Sequence, residues 1–284
     1  MAESGRIRHA ISAATEVARR LGAGTIEPVV LRDSNHVSIR LAPLRVVARV
    51  FEISRNPSAV ADLARELAVA RHLAGRAAPV VPPTTELPAG PHFCGDAALS
   101  LWQFVEHRSA SEDDVTDAAI ALRDIHDALA DFPTALPAFG SKGAEARALL
   151  ADRSALPALA SADRIFLLTA HERIAARLAA RPIPSHPIHG DAHLGNVLVT
   201  ADGARWTDFE SACRGPSEWD IGFLPSSDLS PFGPIDRELF DGLSDLRSLC
   251  VAVWCFAKYD NPEKREAADY HLGWLKERAA RAFR

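Results

Sequence analysis

Apolar positions along the chain change their spacing several times, and each change marks an element. Ile7, Ile11, Ala14, Val17 and Leu21 recur at helical spacing with charges between them. Val29 to Leu31, Val37 to Leu41 and Arg45 to Phe51 then read as strands, the last two forming a hairpin of a small antiparallel sheet across Ala42-Pro43-Leu44. Asn56-Pro57 offers a helix N-cap followed by proline at the first helical position, and Val60, Leu63, Leu67, Ala70 and Leu73 continue at helical spacing. A segment rich in proline and glycine, from Pro79 to Pro91, leads to the apolar run Leu99 to Val105, which predicts another strand.

From Ser109 onward the pattern is helical. Ser111 stands three residues before Asp114 in the manner of a capping box, and Val115, Ala119, Leu122, Ile125 and Leu129 then share one face. Further helical patterns lie around 142–151, from Ser161 to Arg181, from Leu246 to Ala257 and from Glu263 to Ala282. The prolines in Arg181-Pro-Ile-Pro-Ser-His-Pro187 lack the amide proton and restrict the residue before them, so an extended loop is expected there. A sheet-rich first part and a helical remainder predict an α+β chain.

The 284 residues, 48% hydrophobic and 24% charged, suffice for one large or two small globular domains. A net charge of -5 lacks the basic excess of a sequence-independent nucleic-acid binder, so no nucleic-acid partner is expected. The apolar run ending at Ala257 falls far short of the roughly 20 residues of a membrane span, so no membrane partner is expected either. Charges interrupt the first apolar pattern where a secretory core would be continuous, which reads as a cytoplasmic chain. Cys94, Cys213, Cys250 and Cys255 form no Cys-x-x-Cys pair, so plain thiols are expected. Lysine occurs only at 142, 258, 264 and 276, which leaves 28 of the 32 basic residues as arginine.

Candidate chemistry gathers between His189 and Glu210, in His-Gly-Asp-Ala-His-Leu-Gly-Asn196 and then Thr-Asp208-Phe-Glu210. Asp202-Gly203 between two apolar runs is a strong hairpin signal. A three-residue loop, 201–203, with Gly203 left-handed puts Asn196 opposite Asp208 on one face, whereas a two-residue loop puts them on opposite faces. Asn196 and Asp208 as hard-oxygen ligands, beside the carboxylate of Asp191, suit magnesium and a hydroxyl oriented for attack. That is phosphoryl-transfer chemistry. Read instead as a zinc or iron cluster, His189-x-Asp191-x-His193 leaves Asn196 and Asp208 without a role. No Gly-x4-Gly-Lys-Ser/Thr, His-Glu-x-x-His or Gly-x-Ser-x-Gly pattern occurs.

His-Gly-Asp-x4-Asn followed by Asp-Phe resembles the signature of the aminoglycoside phosphotransferase and choline kinase-like group, relatives of the protein kinases. The close match covers residues 188–222, and the order of elements agrees over a longer stretch. The resemblance implies a two-lobed protein kinase-like α+β fold: an antiparallel-sheet lobe over 1–100, a connection over 101–107 and a helical lobe over 108–284 with its catalytic loop at 188–210. It implies Mg²⁺, ATP or GTP as co-substrate, and a small hydroxylated acceptor such as an antibiotic, amino sugar or amino alcohol. Asp191 would be the catalytic carboxylate, and Asn196 and Asp208 the metal ligands. His189 would brace the loop, and Asp220 would steady its backbone, with a helix-capping role as the alternative for Asp220. Arg49, in place of the group's usual lysine, would pair with Glu66 and touch the phosphates, while Gln103, Phe104 and Val105 would meet the adenine edge. Asp33-Ser34-Asn35-His36 stands where a glycine-rich loop is often found. Glu210, Glu218, Asp228, Asp236, Glu238 and Asp241 could line a pocket for a cationic acceptor or form a solvated acidic face. A nucleotide-binding pseudokinase or regulatory protein without turnover is the opposing reading.

Overall fold

The computed structural model describes residues 2–34, 36–54, 58–225 and 230–281. In chain order the elements are α1 (Ala2–Arg20), β1 (Glu27–Asp33), β2 (Val37–Ala42), β3 (Val46–Glu52), α2 (Ala59–Gly75), β4 (His92–Cys94), β5 (Ala97–Gln103), β6 (Arg108–Ser109), α3 (Val115–Leu129) and α4 (Gly140–Ala151). After these come α5 (Ser161–Ala179), β7 (His186–Ile188), β8 (Val197–Thr200), β9 (Gly203–Trp206), β10 (Cys213–Gly215), α6 (Ser217–Ile221), α7 (Arg237–Phe256) and α8 (Pro262–Arg281). Asn56 and Pro57, expected to open the second helix, and Asp228 lie outside the described residues. The chain divides into two compact units, the first of residues 1–134, 191–212 and 227–231, the second of 135–190, 213–226 and 232–284.

In the first unit a five-stranded antiparallel sheet has the order β1-β2-β3-β5-β4. Period-two alternation sorts β3 between two cores. Val46, Ala48 and Val50 join Ile39, Leu41, Leu99 and Leu101 beneath the Ala13, Ala14 and Val17 face of α1. Phe51 and Val47 point the other way, onto Leu63 and Leu67 of α2. Arg49 shares their parity and so enters the α2 face, where Glu66 sits completely buried between those two leucines. β5, in the interior of the sheet, is buried on both faces, which is why it reads as an almost unbroken apolar run, whereas β1 at the edge is largely exposed.

The same unit holds a three-stranded sheet, β6-β8-β9. Trp206 at its end is fully buried and donates its indole N–H to the Ala118 carbonyl of α3 at 3.1 Å. The expected capping box precedes α3: the Asp114 carboxylate accepts from the Ser111 amide at 2.8 Å, and a single 3-10 turn over Glu112–Asp114 leads into the helix.

The second unit is helical. Leu167 of α5, Leu246, Leu249 and Val253 of α7, and Leu272 and Leu275 of α8 form its core around Trp219. Where an extended loop was expected after α5, His186–Ile188 forms β7 and pairs with β10. The helix anticipated from Leu246 starts at Arg237 instead, capped by the Asp236 carboxylate accepting from the Leu239 amide at 3.0 Å. Among the described residues no helix is long and apolar enough to cross a membrane.

Candidate active site

The β8–β9 hairpin does turn at this point, but with two residues in the loop, Ala201 and Asp202, and Gly203 already in β9. Thr200 pairs with Gly203 and Val197 with Trp206, and the Thr207 amide donates to the Asn196 carbonyl at 2.9 Å. Asn196 therefore faces Thr207, not Asp208, and strand alternation does not bring the two candidate ligands together. Local backbone does so instead. Asn196 ends a 3-10 turn over Leu194–Asn196, and Asp208 adopts the left-handed conformation, φ 70° and ψ 56°, before a second such turn over Phe209–Ser211. Both side chains consequently line one cavity. The Asn196 amide nitrogen donates to the Asp191 carbonyl at 2.9 Å, which turns its Oδ1 the other way. Asp191 itself is half-exposed, its Oδ2 lying 3.7 Å from His193 Nε2.

Arg49 binds three partners at once. Nη1 donates to Glu66 Oε1, Nη2 to Asp208 Oδ1 at 2.9 Å, and Nε to His36 Nε2 at 3.0 Å. Burial alone would lower the guanidinium's pKa, but the Asp208 and Glu66 carboxylates outweigh it and hold Arg49 above the ordinary arginine value. Burial pushes Glu66 up to about 7 while Arg49 pulls against it, and burial followed by the Asp208 charge pushes Glu210 up to about 8. Burial, then the Arg49 charge, pushes His36 down to about 3, so its ring is neutral. Arg65, next to Glu66 on α2, donates from both Nε and Nη2 to the Glu210 carbonyl, tying the turn after Asp208 to the same helix.

The cavity, about 460 Å³, is within the range of small-molecule sites. Arg49, His36, Asn196 and Asp208 are among its polar lining residues, and Val47, Val81, Trp102, Phe104 and Val105 among its apolar ones, with Gln103 beside them in the chain. The Gln103 amide is committed to the Pro82 carbonyl at 3.0 Å and the Phe104 amide to the Arg45 carbonyl at 2.8 Å. The Arg40 guanidinium lies 3.9 Å over the Phe104 ring.

In the second unit Asp220 lies inside α6, not at its N-cap, and is fully buried. Its two oxygens accept from the backbone amides of His189 and Gly190 at 2.7 and 2.8 Å, while Trp219 Nε1 donates to the Gly190 carbonyl at 3.0 Å. The chain is thereby gripped immediately before Asp191.

Of the acidic residues considered for an acceptor pocket, Asp236 and Glu238 pair with Arg181, and Asp241 with Arg278. Among the described residues no group of three or more His, Cys, Asp or Glu is arranged to hold a metal ion, which gives no support to a zinc cluster at His189, Asp191 and His193. The donor set that does face the cavity, one amide oxygen and one carboxylate, suits a hard, oxygen-seeking ion such as Mg²⁺. Sequence reasoning missed His36 and Trp102 as site residues. For His36 the available signal was a buried arginine whose Nε–H needs an acceptor.

No curated protein sequence matches the chain. Among solved structures, a choline/ethanolamine kinase family protein from Mesorhizobium loti is 18% identical with a TM-score of 0.66, over 93% of this chain and 94% of that one. The aminoglycoside phosphotransferase APH(2")-IIIa, solved with GDP and kanamycin, is 16% identical with a TM-score of 0.71, over 94% and 98%. The amicoumacin kinase hAmiN, solved with AMP-PNP, Ca²⁺ and amicoumacin, is 13% identical with a TM-score of 0.69, over 88% of each chain. These likenesses establish a kinase-like fold. The model of the phosphotransferase enzyme family (APH) matches residues 17–280, nearly the whole length, and the chain belongs to that family.

Proposed function

We propose that this phosphotransferase moves the γ-phosphoryl group of ATP or GTP to a hydroxyl of a small molecule, with antibiotics, amino sugars and amino alcohols as the first acceptors to try. The observation that carries the reading is one cavity lined partly by Arg49, Asn196 and Asp208 and partly by apolar side chains such as Val47, Val81 and Trp102. A nucleotide has that same division, a flat base at one end and polyanionic phosphates at the other. Solved relatives were complexed with AMP-PNP or GDP.

In this reading Val47, Val81 and Trp102 enclose the base, and Gln103, Phe104 and Val105 lie along its edge. Arg49, kept charged by Asp208 and Glu66, holds the phosphates through its bidentate guanidinium edge. Asn196 and Asp208 hold Mg²⁺, which when bound offsets negative charge on the phosphate oxygens. Asp191 accepts the proton of the acceptor hydroxyl as its oxygen forms the bond to the γ-phosphorus and the bond to the bridging oxygen of the nucleoside diphosphate breaks. Asp220 keeps the backbone at His189 and Gly190 fixed, so that Asp191 is presented in one orientation.

The test is acceptor-dependent release of ADP and GDP with Mg²⁺, over aminoglycosides, amino sugars, choline-like amines and hydroxylated peptides, with Asp191→Asn as blank. Turnover present in the wild type and absent from the variant supports the reading. Turnover that survives in Asp191→Asn sinks the role given to Asp191.

A further inference from the structure

Arg49 raises a difficulty that a lysine would not. Its guanidinium carries five N–H donors in one plane and is only 7% exposed, so each donor turned into the protein needs an acceptor. Glu66 takes one from Nη1 and Asp208 one from Nη2. The Nε–H is bound by neither of these carboxylates. Its acceptor is the imidazole of His36, whose Nε2 lies 3.0 Å from Nε, with Nδ1 3.2 Å from Nη2.

His36 is built for this contact. It precedes β2 directly, is 7% exposed, and its ring is tilted against Phe51 at 5.0 Å between centroids. Phe51 stands two positions after Arg49 on the same face of β3, so one strand supplies both the guanidinium and the ring that wedges its partner. An imidazole accepts a hydrogen bond only when neutral, and burial keeps this one neutral. Glu66 and Asp208 hold the two Nη atoms, and His36 adds a third anchor at Nε, so every nitrogen of the guanidinium has a protein partner.

We propose that His36 is a positioning residue for Arg49, accepting the Nε–H so that the Nη edge is presented to the phosphates of a nucleotide in the cavity. The inference rests on the nucleotide reading above and deepens it: the imidazole occupies the stretch where kinases often place glycines, and there it serves the arginine that replaces their lysine.

Binding of Mg·ATP and Mg·GTP is measured calorimetrically on the full chain for wild type, His36→Leu, His36→Gln, Arg49→Lys and His36→Leu/Arg49→Lys. His36→Leu weakens binding about tenfold, the effect of one lost charge-assisted hydrogen bond. His36→Gln restores most of it, because its amide oxygen accepts the same N–H. In the Arg49→Lys background His36→Leu costs nothing further, since lysine has no Nε–H to hold. A loss of equal size in both backgrounds, or full affinity in His36→Leu, overturns the proposal while leaving the nucleotide reading intact. A wild-type chain that binds neither nucleotide overturns both.

The ¹H–¹⁵N spectrum of the free protein supplies a readout independent of nucleotide and of the leucine variant's folding. The Arg49 Nε–H gives a solvent-protected signal in wild type and in His36→Gln. Its absence from the wild type disproves the hydrogen bond.

Discussion

Arg49 Nη2 donates to Asp208 Oδ1 at 2.9 Å, although 159 positions separate the two residues. One comes from the middle of β3 and the other from a left-handed residue just beyond β9, so the contact links the five-stranded sheet to the hairpin that carries Asn196. Glu66 binds the same guanidinium from α2, and Arg65 on that helix binds the Glu210 carbonyl. The helix, the strand and the turn at Asp208 are therefore one charged unit, and disturbing any member is felt by the others.

Replacing Arg49 tests that unit. Arg49→Met leaves Glu66, which is fully buried, without its counter-ion, and costs about 3–5 kcal/mol. Arg49→Met/Glu66→Leu removes both charges and recovers much of that stability, while nucleotide binding stays lost. Urea unfolding of the two variants beside wild type measures the difference. A double variant no more stable than the single one contradicts the pairing.

Asp191→Asn separates binding from chemistry. The amide keeps the side chain's size but cannot take up a proton, so turnover with a productive acceptor falls on the order of 10²–10⁴-fold. Nucleotide affinity stays near the wild-type value, because Asp191 is not among the residues that line the cavity. Steady-state rates and calorimetric affinities on one preparation check both halves. An equal loss in the two measurements contradicts the assignment.

Asp220→Ala acts on the backbone. Two buried amides, those of His189 and Gly190, lose a charged acceptor, which costs about 3 kcal/mol and roughly 10 °C of melting temperature. Below that temperature the chain before Asp191 is no longer gripped, so kcat falls more than the KM for nucleotide changes. Scanning calorimetry and initial rates decide it, and an unchanged kcat in the folded variant rules out a positioning role.

What the sequence revealed and what it concealed divide along physical lines. Glu66 was reached through the family resemblance, which implies an acid on the helix after the third strand, and its burial between the leucines at 63 and 67 agrees with that place. The long amphipathic elements were legible from their own periodicity. The hairpin register was not: Asp202-Gly203 suits loops of either length, and the left-handed turn that redirects Asp208 leaves no trace in the hydrophobic pattern. Strands of two or three residues, such as β6, β7 and β10, are too short to show a period. The first turns of α7 carry Arg237, Glu238, Asp241 and Asp245, charges that hid its start. His36 escaped notice because what marks it is the need of a distant arginine for an acceptor.

A second histidine gives a pH test that avoids the candidate ligands. His271 on α8 has a buried Nδ1 with no hydrogen-bond partner, and burial, then the Arg247 charge, pushes its pKa from 6.5 down to about 4. In the unfolded chain it protonates as pH falls through 6.5; in the folded protein it does so only near 4, so between these values the unfolded state binds more protons. His271 therefore destabilises the fold progressively as pH falls through that window and has no such effect above it. Glu66 and Glu210, pushed the other way, partly mask this in the wild type, so the comparison must be with a variant. His271→Phe removes the titrating group and the unpaired nitrogen together. Its melting temperature, near that of wild type at neutral pH, rises above it by a growing margin as the pH is lowered from 7 to 4.5; a gap that does not change with pH shows that His271 titrates normally in the fold.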